Sequence, residues 1–319
     1  MNLTFMDFCS GIGAGRLGLE QAGMQCVAHS EIDSNADFTY QLFFDDKSNL
    51  GDLTLLNPND LPNFDVMLAG FPCQTFSIAG KRAGLNDDRG QIIYYLTDIL
   101  KQKNTPYFIL ENVKGLINHN KGETLQSILK LLSDTGYKTY YQVLDSQYYG
   151  VPQMRQRVYF VGIRNDIHHK PFEFPEPIHS KPIEYYLSDD RDYHFDKNNP
   201  TFVKYLLNKY NHNQYNIDEI IQTDYQMIDW RQSDFRLYDK KCPTLRTGRH
   251  GILYTKNGKL RKLSGYEALL LQGFPKQIAN QVIHHKLPDS KILSQAGNAM
   301  TVTVIEQLGK QLLKSLGEY

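Results

Sequence analysis

The chain has 319 residues, with 35 lysines and arginines balanced by 35 aspartates and glutamates, so its formal net charge is zero. This length accommodates two domains, or one large domain with an insertion, around a full hydrophobic core. No apolar run reaches the roughly 18 residues that a membrane helix needs, and the first residues carry no basic leader. The sequence therefore predicts a cytoplasmic protein without membrane contact. It excludes a globally basic nucleic-acid binder, although a local basic face remains compatible with zero net charge.

The cysteine pattern predicts neither a disulfide framework nor a metal site. The four cysteines are Cys9, Cys26, Cys73 and Cys242, and none belongs to a C-x-x-C motif or a Cys/His cluster with zinc-finger spacing. Four thiols in a cytosolic chain are expected to stay reduced.

Short apolar strands alternate with amphipathic helices in the first half, which is typical of an α/β domain with a parallel sheet. The predicted strands are 3–8, 25–30, 64–69, 107–110 and 158–163, and the predicted helices are 15–22, 36–44, 91–101 and 124–135.

The pattern changes after Arg164. Four prolines, at positions 171, 175, 177 and 182, break helices and mark a linker. A polar, weakly periodic stretch follows to about residue 229. Ser264-x-x-Glu267 predicts the capped start of another helix, and residues 301–316 predict a closing helix with one apolar face.

The loop over residues 7–15 is rich in glycine and lies between a predicted strand and a predicted helix, where a ligand can approach the backbone closely. The NAD fingerprint requires a third glycine where this chain has Arg16. Glu31 lies 20 residues after Gly11, at the end of the second strand, where an acid can accept ribose hydroxyls, and Asp52 follows in a loop. Two acids without a phosphate-binding lysine favour a nucleoside with a positively charged substituent, such as S-adenosylmethionine. A plain strand–helix turn with solvated acids would have the same sequence.

A second loop presents Cys73 directly after Pro72, at the end of the third predicted strand. An isolated cysteine is most often a small hydrophobic side chain, but Glu111-Asn112 ends the neighbouring buried strand. A thiolate that adds to carbon 6 of cytosine, while a carboxyl group bonds or protonates ring nitrogen 3, makes carbon 5 nucleophilic enough to accept a methyl group.

Six motifs in order resemble those of the DNA (cytosine-5) methyltransferases, especially the compact enzymes of bacterial restriction–modification systems. In chain order they begin at Asp7 (DFCSGIG), Gly70 (GFPCQ), Glu111 (ENV), Gln153 (QMRQR), Pro243 (PTL) and Gln295 (QAGNA). The resemblance covers nearly the whole chain. It implies a Rossmann-like S-adenosylmethionine-dependent methyltransferase domain with a smaller inserted target-recognition domain. The catalytic and cofactor-binding domain would cover 1–170 and be completed by 291–319, with target recognition in 171–262 and connecting helices in 263–290.

The resemblance also implies roles for individual residues. The implied catalytic residues are Cys73 as nucleophile, Glu111 on the cytosine edge, and Arg155 and Arg157 beside the flipped base, Glu111 and the DNA backbone. The implied cofactor contacts are Asp7, Phe8, Gly11, Gly13, Glu31, Ile32, Asp52 and Asn298. The implied DNA contacts are Gln74, Ser77, Arg89, Thr244, Arg246 and Arg249. No metal is implied.

The chain departs from the family pattern at three positions. Cys9 stands where members often have an aromatic residue, and Ile32 where they frequently have tryptophan, so the adenine face is expected to be less stacked. Ala79 stands where some members place a serine that helps to extrude the base.

The stretch from Arg231 to Lys262 has ten basic residues and two acidic ones, a net charge of +8. Trp230 directly precedes it, and Phe235 and Tyr238 lie within it. Such a stretch can bind phosphates, although charge runs are often solvated faces. Residues 246–250 are the candidate base-reading loop, since arginine pairs bidentately with guanine.

The sequence thus favours an S-adenosylmethionine-dependent DNA (cytosine-5) methyltransferase that acts as a monomer on double-stranded DNA, with a cognate restriction endonuclease as a possible partner. Two alternatives remain: an RNA-directed enzyme that methylates tRNA, and a non-catalytic DNA-binding relative. Intact Cys73, Glu111, Arg155, Arg157 and Asn298 argue against the second alternative.

Overall fold

The computed structural model describes residues 3–72, 92–207, 214–231, 234–248 and 251–317. The chain divides into two units. The first unit contains the chain up to Asp145, then Gln156–Pro177, and the chain from Met300 onward. The second contains Ser146–Arg155 and Ile178–Ala299.

Helices and strands alternate through most of the first unit. Its strands are β1 Thr4–Phe8, β2 Gln25–Ser30, β3 Val66–Gly70, β4 Tyr107–Val113, β5 Tyr137–Asp145 and β6 Gln156–Arg164. Its helices are α1 Ala14–Gln21, α2 Ser34–Phe44, α3 Ile92–Lys103, α4 Glu123–Asp134 and α10 Val302–Ser315. Most of these elements lie within two residues of their predicted bounds.

Within the described residues these six strands form one sheet in the order β2-β1-β3-β4-β6-β5. The first four strands pair in parallel, which confirms the predicted α/β class. The last two depart from the expected parallel sheet, because β6 pairs antiparallel with both β4 and β5. The sequence analysis also missed β5. This edge strand is largely solvent-accessible and polar, so it lacks the apolar run that identified the central strands.

The core of the first unit lies around its central strands. Val66–Ala69 of β3 and Phe108–Leu110 of β4 are fully buried. Helices cover both faces of a parallel sheet, so these strands are apolar on both sides rather than alternating. This burial fixes the ends of β3 and β4, where the GFPCQ and ENV motifs lie.

Helix α10 packs closely against α1 because glycines remove side chains from the contact. A Cβ on Gly18 would lie 2.7 Å from Ile305 Cβ, and one on Gly309 would lie 2.8 Å from Ala22 Cβ. Val302, Ile305, Leu308 and Leu312 form the buried apolar face predicted for the closing helix.

The second unit combines an antiparallel sheet with helices. Its elements are β7 His194–Phe195, α5 Pro200–Leu206, α6 Ile217–Ile220, β8 Gln226–Arg231, β9 Asp234–Asp239, β10 Ile252–Lys256, β11 Lys259–Lys262, α7 Gly265–Leu271, α8 Lys276–His284 and α9 Asp289–Asn298. The strands pair in the order β7-β11-β10-β8-β9. The predicted capping box at the start of α7 is confirmed, since Ser264 and Glu267 exchange side-chain-to-backbone hydrogen bonds.

Aromatic side chains fill the small core of this antiparallel sheet. Phe202 and Phe235 are buried, and the Trp230 ring lies 5.6 Å from that of Phe202. Phe235 is therefore in the core and is not a stacking surface among the basic side chains, whereas Trp230 is only partly buried. Since neighbouring positions on a strand face opposite ways, Phe235 points inward while Arg236 is exposed.

The unit boundaries differ from the domain limits expected from sequence. The second unit starts at Ile178 rather than residue 171, and it includes Ser146–Arg155 and all residues from 263 to 299.

Helices α7 and α9 of the second unit pack at close range. A Cβ on Gly265 would lie only 2.7 Å from Ile292 Cβ, so glycine at this position permits the contact.

Within the described residues, no helix combines the length and apolar character needed to cross a membrane.

Candidate cofactor and catalytic site

The glycine loop turns sharply between β1 and α1. Cys9, Gly11 and Gly13 all have positive φ, at 51°, 56° and 79°. A Cβ on Gly13 would lie 2.2 Å from the Phe44 ring, whereas one on Gly11 would meet nothing within 4 Å. Glycine at 13 is thus required by packing and conformation, and Gly11 leaves its backbone open to a ligand.

Asp7 is fully buried directly below this loop. One carboxylate oxygen, Oδ2, accepts a hydrogen bond from the backbone N–H of Arg16, in the first turn of α1, at 3.2 Å. The other, Oδ1, has no hydrogen-bond partner among the described residues. Burial raises the Asp7 pKa to about 8. A buried acid with one unused oxygen is typical of a position that receives a ligand.

Glu31 connects the end of β2 to the glycine loop. Its carboxylate accepts the Gly11 N–H at 2.7 Å and the Asp33 N–H at 2.8 Å. Ile32, the next residue, is 75% exposed and offers an apolar side chain beside these polar groups.

The other predicted cofactor residues differ in what they can offer. Asp52 caps a short 3-10 helix by accepting the Thr54 N–H at 2.9 Å. The Phe8 side chain is in the core, with its ring 6.0 Å from that of Phe64, so only its backbone is available to a ligand. Asn298 is the last residue of α9, where it is exposed, and it belongs to the second unit.

Arg16, which interrupts the NAD fingerprint, is neutralised within the first unit. Its guanidinium bonds Asp46 at 2.6 Å and Glu20 at 2.8 Å and stacks over Phe44. These contacts leave no full positive charge for a phosphate group.

Glu111 and Arg157 form an ion pair at the ends of two neighbouring strands. Arg157 Nε lies 3.0 Å from Glu111 Oε1, and both side chains are largely buried. Gly70 pairs with Glu111 across the sheet, and a Cβ on Gly70 would lie 3.6 Å from the Glu111 carboxylate. The structure thus brings the carboxylate beside the end of β3, three residues before Cys73.

Asn112 fixes the start of the segment that leads to Cys73. Its side-chain amide donates to the Phe71 carbonyl at 2.9 Å in a buried position, and its carbonyl oxygen accepts the Val113 N–H. Sequence analysis had assigned no such role to Asn112. Cys73 itself lies outside the described residues, as do Gln74, Ser77 and Arg89.

Arg155 holds backbone segments of the second unit together. Its buried guanidinium donates to three carbonyl oxygens, those of Leu245 at 3.0 Å, Gly297 at 3.1 Å and Ala299 at 2.7 Å. Arg155 thereby joins the PTL and QAGNA motifs. The resemblance implied a place beside the flipped base, Glu111 and the DNA backbone, and the sequence analysis did not foresee this structural role.

Gln153 joins one of these segments, that of Leu245, to the end of α7. Its amide donates to the Leu271 carbonyl at 2.9 Å and accepts the Leu245 N–H at 3.1 Å. Sequence analysis had given Gln153 no function, and the only signal was its place in the QMRQR motif.

The basic stretch is divided between structural and exposed side chains. Arg261 donates to the Tyr254 hydroxyl and to two backbone carbonyls, so it stabilises the sheet. Thr244 is engaged similarly, with its hydroxyl 2.5 Å from the Met154 carbonyl. Arg246 is exposed, and Arg249 lies outside the described residues. Among described positions, the exposed basic residues of this stretch are Arg236, Lys240, Lys241, Arg246, Lys259 and Lys262.

A model of the C-5 cytosine-specific DNA methylase family matches residues 3–314 of the chain. The chain belongs to this family. The match spans both units, and it confirms the predicted family and enzyme class, an S-adenosylmethionine-dependent DNA (cytosine-5) methyltransferase.

Comparison with individual proteins agrees with this family membership. The chain is 36% identical to the Type II methyltransferase M.NgoBI of Neisseria gonorrhoeae over 96% of its own length and 91% of that protein. It is 34% identical to the Type II methyltransferase M.Bsp6I of Bacillus sp. (strain RFL6), over 98% and 99% of the two chains. A crystal structure of a prophage-encoded DNA modification methyltransferase of E. coli superposes with a TM-score of 0.70. It is 21% identical, covers 99% of this chain and 100% of its own, and shows the same fold.

Proposed function

We propose that this DNA methylase transfers a methyl group from S-adenosylmethionine to carbon 5 of a cytosine that has been flipped out of duplex DNA at a short specific site. The observation that carries the proposal is the pair of motifs at the ends of β3 and β4. There Glu111 is paired with Arg157, and Asn112 holds the backbone that leads to Cys73. The base must leave the duplex because a thiol cannot reach carbon 6 of a stacked cytosine.

The glycine loop and its acids fit S-adenosylmethionine. The Glu31 and Asp52 carboxylates can accept hydrogen bonds from ribose hydroxyls and an adenine amino group, and the unused Asp7 oxygen adds a further hydrogen-bonding group. The acids also favour a cation, and Arg16 is already neutralised by Asp46 and Glu20. On this proposal Gly11, Gly13 and the Phe8 backbone border the ligand, Ile32 packs on the adenine, and Asn298 is a further contact implied by the family resemblance. Bound S-adenosylmethionine would supply an electrophilic methyl group on a positively charged sulfur.

Cys73 and Glu111 would carry the reaction at the base. The Cys73 thiolate adds to carbon 6, and a new C–S bond forms while the ring electrons move toward nitrogen 3, which bonds with or is protonated by the Glu111 carboxyl group. Carbon 5 then takes the methyl group, whose bond to the sulfonium sulfur would break to leave neutral S-adenosylhomocysteine. Loss of the carbon 5 proton and elimination of the thiolate restore the aromatic ring and free Cys73.

Arg157 and Arg155 would support this chemistry in different ways. The ion pair at 3.0 Å would orient the Glu111 carboxyl group and keep one oxygen directed away from the base. Arg155 would keep the segments around Leu245 and Gly297 in position.

DNA contact is proposed for two groups of residues. Gln74, Ser77 and Arg89 follow the nucleophile in sequence and would approach the flipped nucleotide and its phosphates. Arg246 and Arg249 would read bases, and Thr244 would support the segment that leads to them.

The relatives are Type II methyltransferases by name, and on that ground we propose that a restriction endonuclease with the same recognition site is the natural partner. We further propose that the methylase works in the cytoplasm as a monomer.

Expression in a host that lacks DNA methylation tests the proposal. Bisulfite sequencing should detect 5-methylcytosine at one short motif, and Cys73→Ser should abolish the signal. Methylation that persists in Cys73→Ser would contradict the mechanism. In parallel, the purified protein and labelled S-adenosylmethionine should label duplex DNA. Labelling of tRNA without labelling of DNA would instead support the RNA-directed alternative.

A further inference from the structure

The loop that carries Asp52 is tied to the end of β2 by a single side-chain amide, that of Asn49. Asn49 Oδ1 accepts the Glu31 N–H at 3.0 Å and the Gly51 N–H at 2.9 Å. Asn49 Nδ2 donates to the Glu31 carbonyl at 2.9 Å. The amide therefore bonds both backbone polar groups of Glu31 and also the residue immediately before Asp52.

Two further hydrogen bonds join the same two segments. The Ser30 hydroxyl donates to the Gly51 carbonyl at 2.6 Å, and the Leu50 N–H donates to the His29 carbonyl at 3.0 Å. No regular strand pairing spans these residues, where an isolated bridge between His29 and Asn49 is the only ladder contact described. The relative position of the two segments thus depends on these few hydrogen bonds.

The hydrogen-bonding capacity of Asn49 is largely used within the protein. An amide offers one acceptor oxygen and two N–H groups, and Asn49 uses the oxygen twice and one N–H once. Its side chain is thus well suited to position neighbouring groups and has little capacity left for a ligand.

We infer that Asn49 is a positioning residue for S-adenosylmethionine binding, because it fixes the distance between the Glu31 and Asp52 carboxylates. This inference rests on the proposed function. Removal of the amide leaves only the Ser30 and Leu50 hydrogen bonds between the Asp52 loop and the end of β2, so the two acids are less well preorganised as one set of acceptors. The ligand then has to order the loop when it binds, and its affinity falls. The methyl-transfer step is unchanged once the ligand is bound, because Asn49 touches none of the groups assigned to the base.

Isothermal titration calorimetry with S-adenosylmethionine and with the product S-adenosylhomocysteine tests this role on the full chain. We expect Asn49→Ala to raise the Kd for both ligands by about tenfold or more, since three hydrogen bonds are lost. We also expect a similar rise in KM for the cofactor and a kcat within about twofold of the wild type at saturating cofactor.

Asn57→Ala is the matched control. Asn57 also accepts a backbone N–H and donates to a carboxylate, at the start of the next 3-10 helix, but it has no bond to Glu31 or Gly51. Asn57→Ala also removes side-chain hydrogen bonds and should leave both Kd values unchanged. If Asn49→Ala fails to fold, Ser30→Ala removes the second side-chain tie and should raise both Kd values less strongly.

Three results would overturn the inference. A folded Asn49→Ala with wild-type Kd values would show that the amide has only a structural role. A lower kcat with unchanged KM would place Asn49 in the chemical step. A wild-type protein that binds neither ligand would refute the proposed cofactor itself, and with it the basis of this inference.

Discussion

At Gly297, in the QAGNA motif, the backbone of α9 lies in close contact with the backbone of Arg246 and Thr247. Gly297→Ala tests whether this close contact is the reason that the position requires glycine. A Cβ at position 297 would lie 2.4 Å from both the Arg246 carbonyl carbon and the Thr247 nitrogen. An ordinary contact starts near 3.4 Å, so the two segments must separate by about 1 Å. Both colliding atoms are backbone, and therefore neither can rotate away.

The expected cost follows from this overlap and from the Arg155 bonds beside it. Overpacking of a filled site costs about 1–3 kcal/mol, and weakening the charge-assisted bond to the Gly297 carbonyl costs about 1.5–3 kcal/mol. Alanine gains about 1 kcal/mol over glycine from helix propensity, since Gly297 lies within α9. We therefore expect net destabilisation of about 1.5–5 kcal/mol, whereas helix propensity alone predicts stabilisation.

Urea denaturation followed by tryptophan fluorescence measures this change directly. Trp230 is the single tryptophan of the chain, and it lies in the aromatic core of the second unit. Gly115→Ala is the control, because a Cβ there meets nothing within 4 Å. A Gly297→Ala protein as stable as wild type, or more stable, would refute the proposed backbone contact.

Three further predictions concern other side chains. Burial raises the Glu267 pKa from 4.5 to about 7. As pH rises, the unfolded chain therefore loses this proton before the folded chain does, and the free energy of unfolding falls between about pH 4.5 and 7. Glu267→Gln should flatten that part of a curve of stability against pH. An unchanged slope in the variant would contradict the raised pKa of Glu267. Arg157→Ala should reduce kcat about 100-fold or more in a methylation assay by releasing the Glu111 carboxylate, with little change in cofactor Kd. Asn112→Ala should likewise lower kcat, since the Phe71 carbonyl loses its amide partner, and wild-type kcat in a folded variant would contradict this role.

Sequence periodicity predicted the first unit well because its strands are apolar on both faces. The predicted strand 25–30 coincides with β2, and the predicted helix 301–316 contains α10 within one residue at each end. Edge strand β5 was missed because its exposed faces carry polar residues. The short strands of the second unit were missed for a related reason, since they lie in a polar stretch with weak alternation.

Hydrogen-bond partners distant in sequence could not be predicted. Arg155 bonds carbonyl groups 90 to 144 residues away, and backbone acceptors leave no trace in side-chain identity. Phe235 was expected among the basic side chains, but its ring lies in the aromatic core, and Trp230 packs partly against that core. Which face of the sheet a side chain takes was not revealed by the sequence of one short strand. The pairing of Glu111 with Arg157 was expected, because both belong to motifs whose roles the family resemblance supplied.

Trapping with duplex DNA that contains 5-fluorocytosine tests the central claim most directly. Fluorine at carbon 5 cannot leave as a proton does, so after methyl transfer the thiolate cannot be eliminated and the adduct persists. We predict an adduct that survives denaturation, forms only with S-adenosylmethionine present, and maps by mass spectrometry to Cys73, with none in Cys73→Ser. A wild-type protein that methylates unmodified DNA but forms no such adduct, or forms it at another residue, would contradict the account.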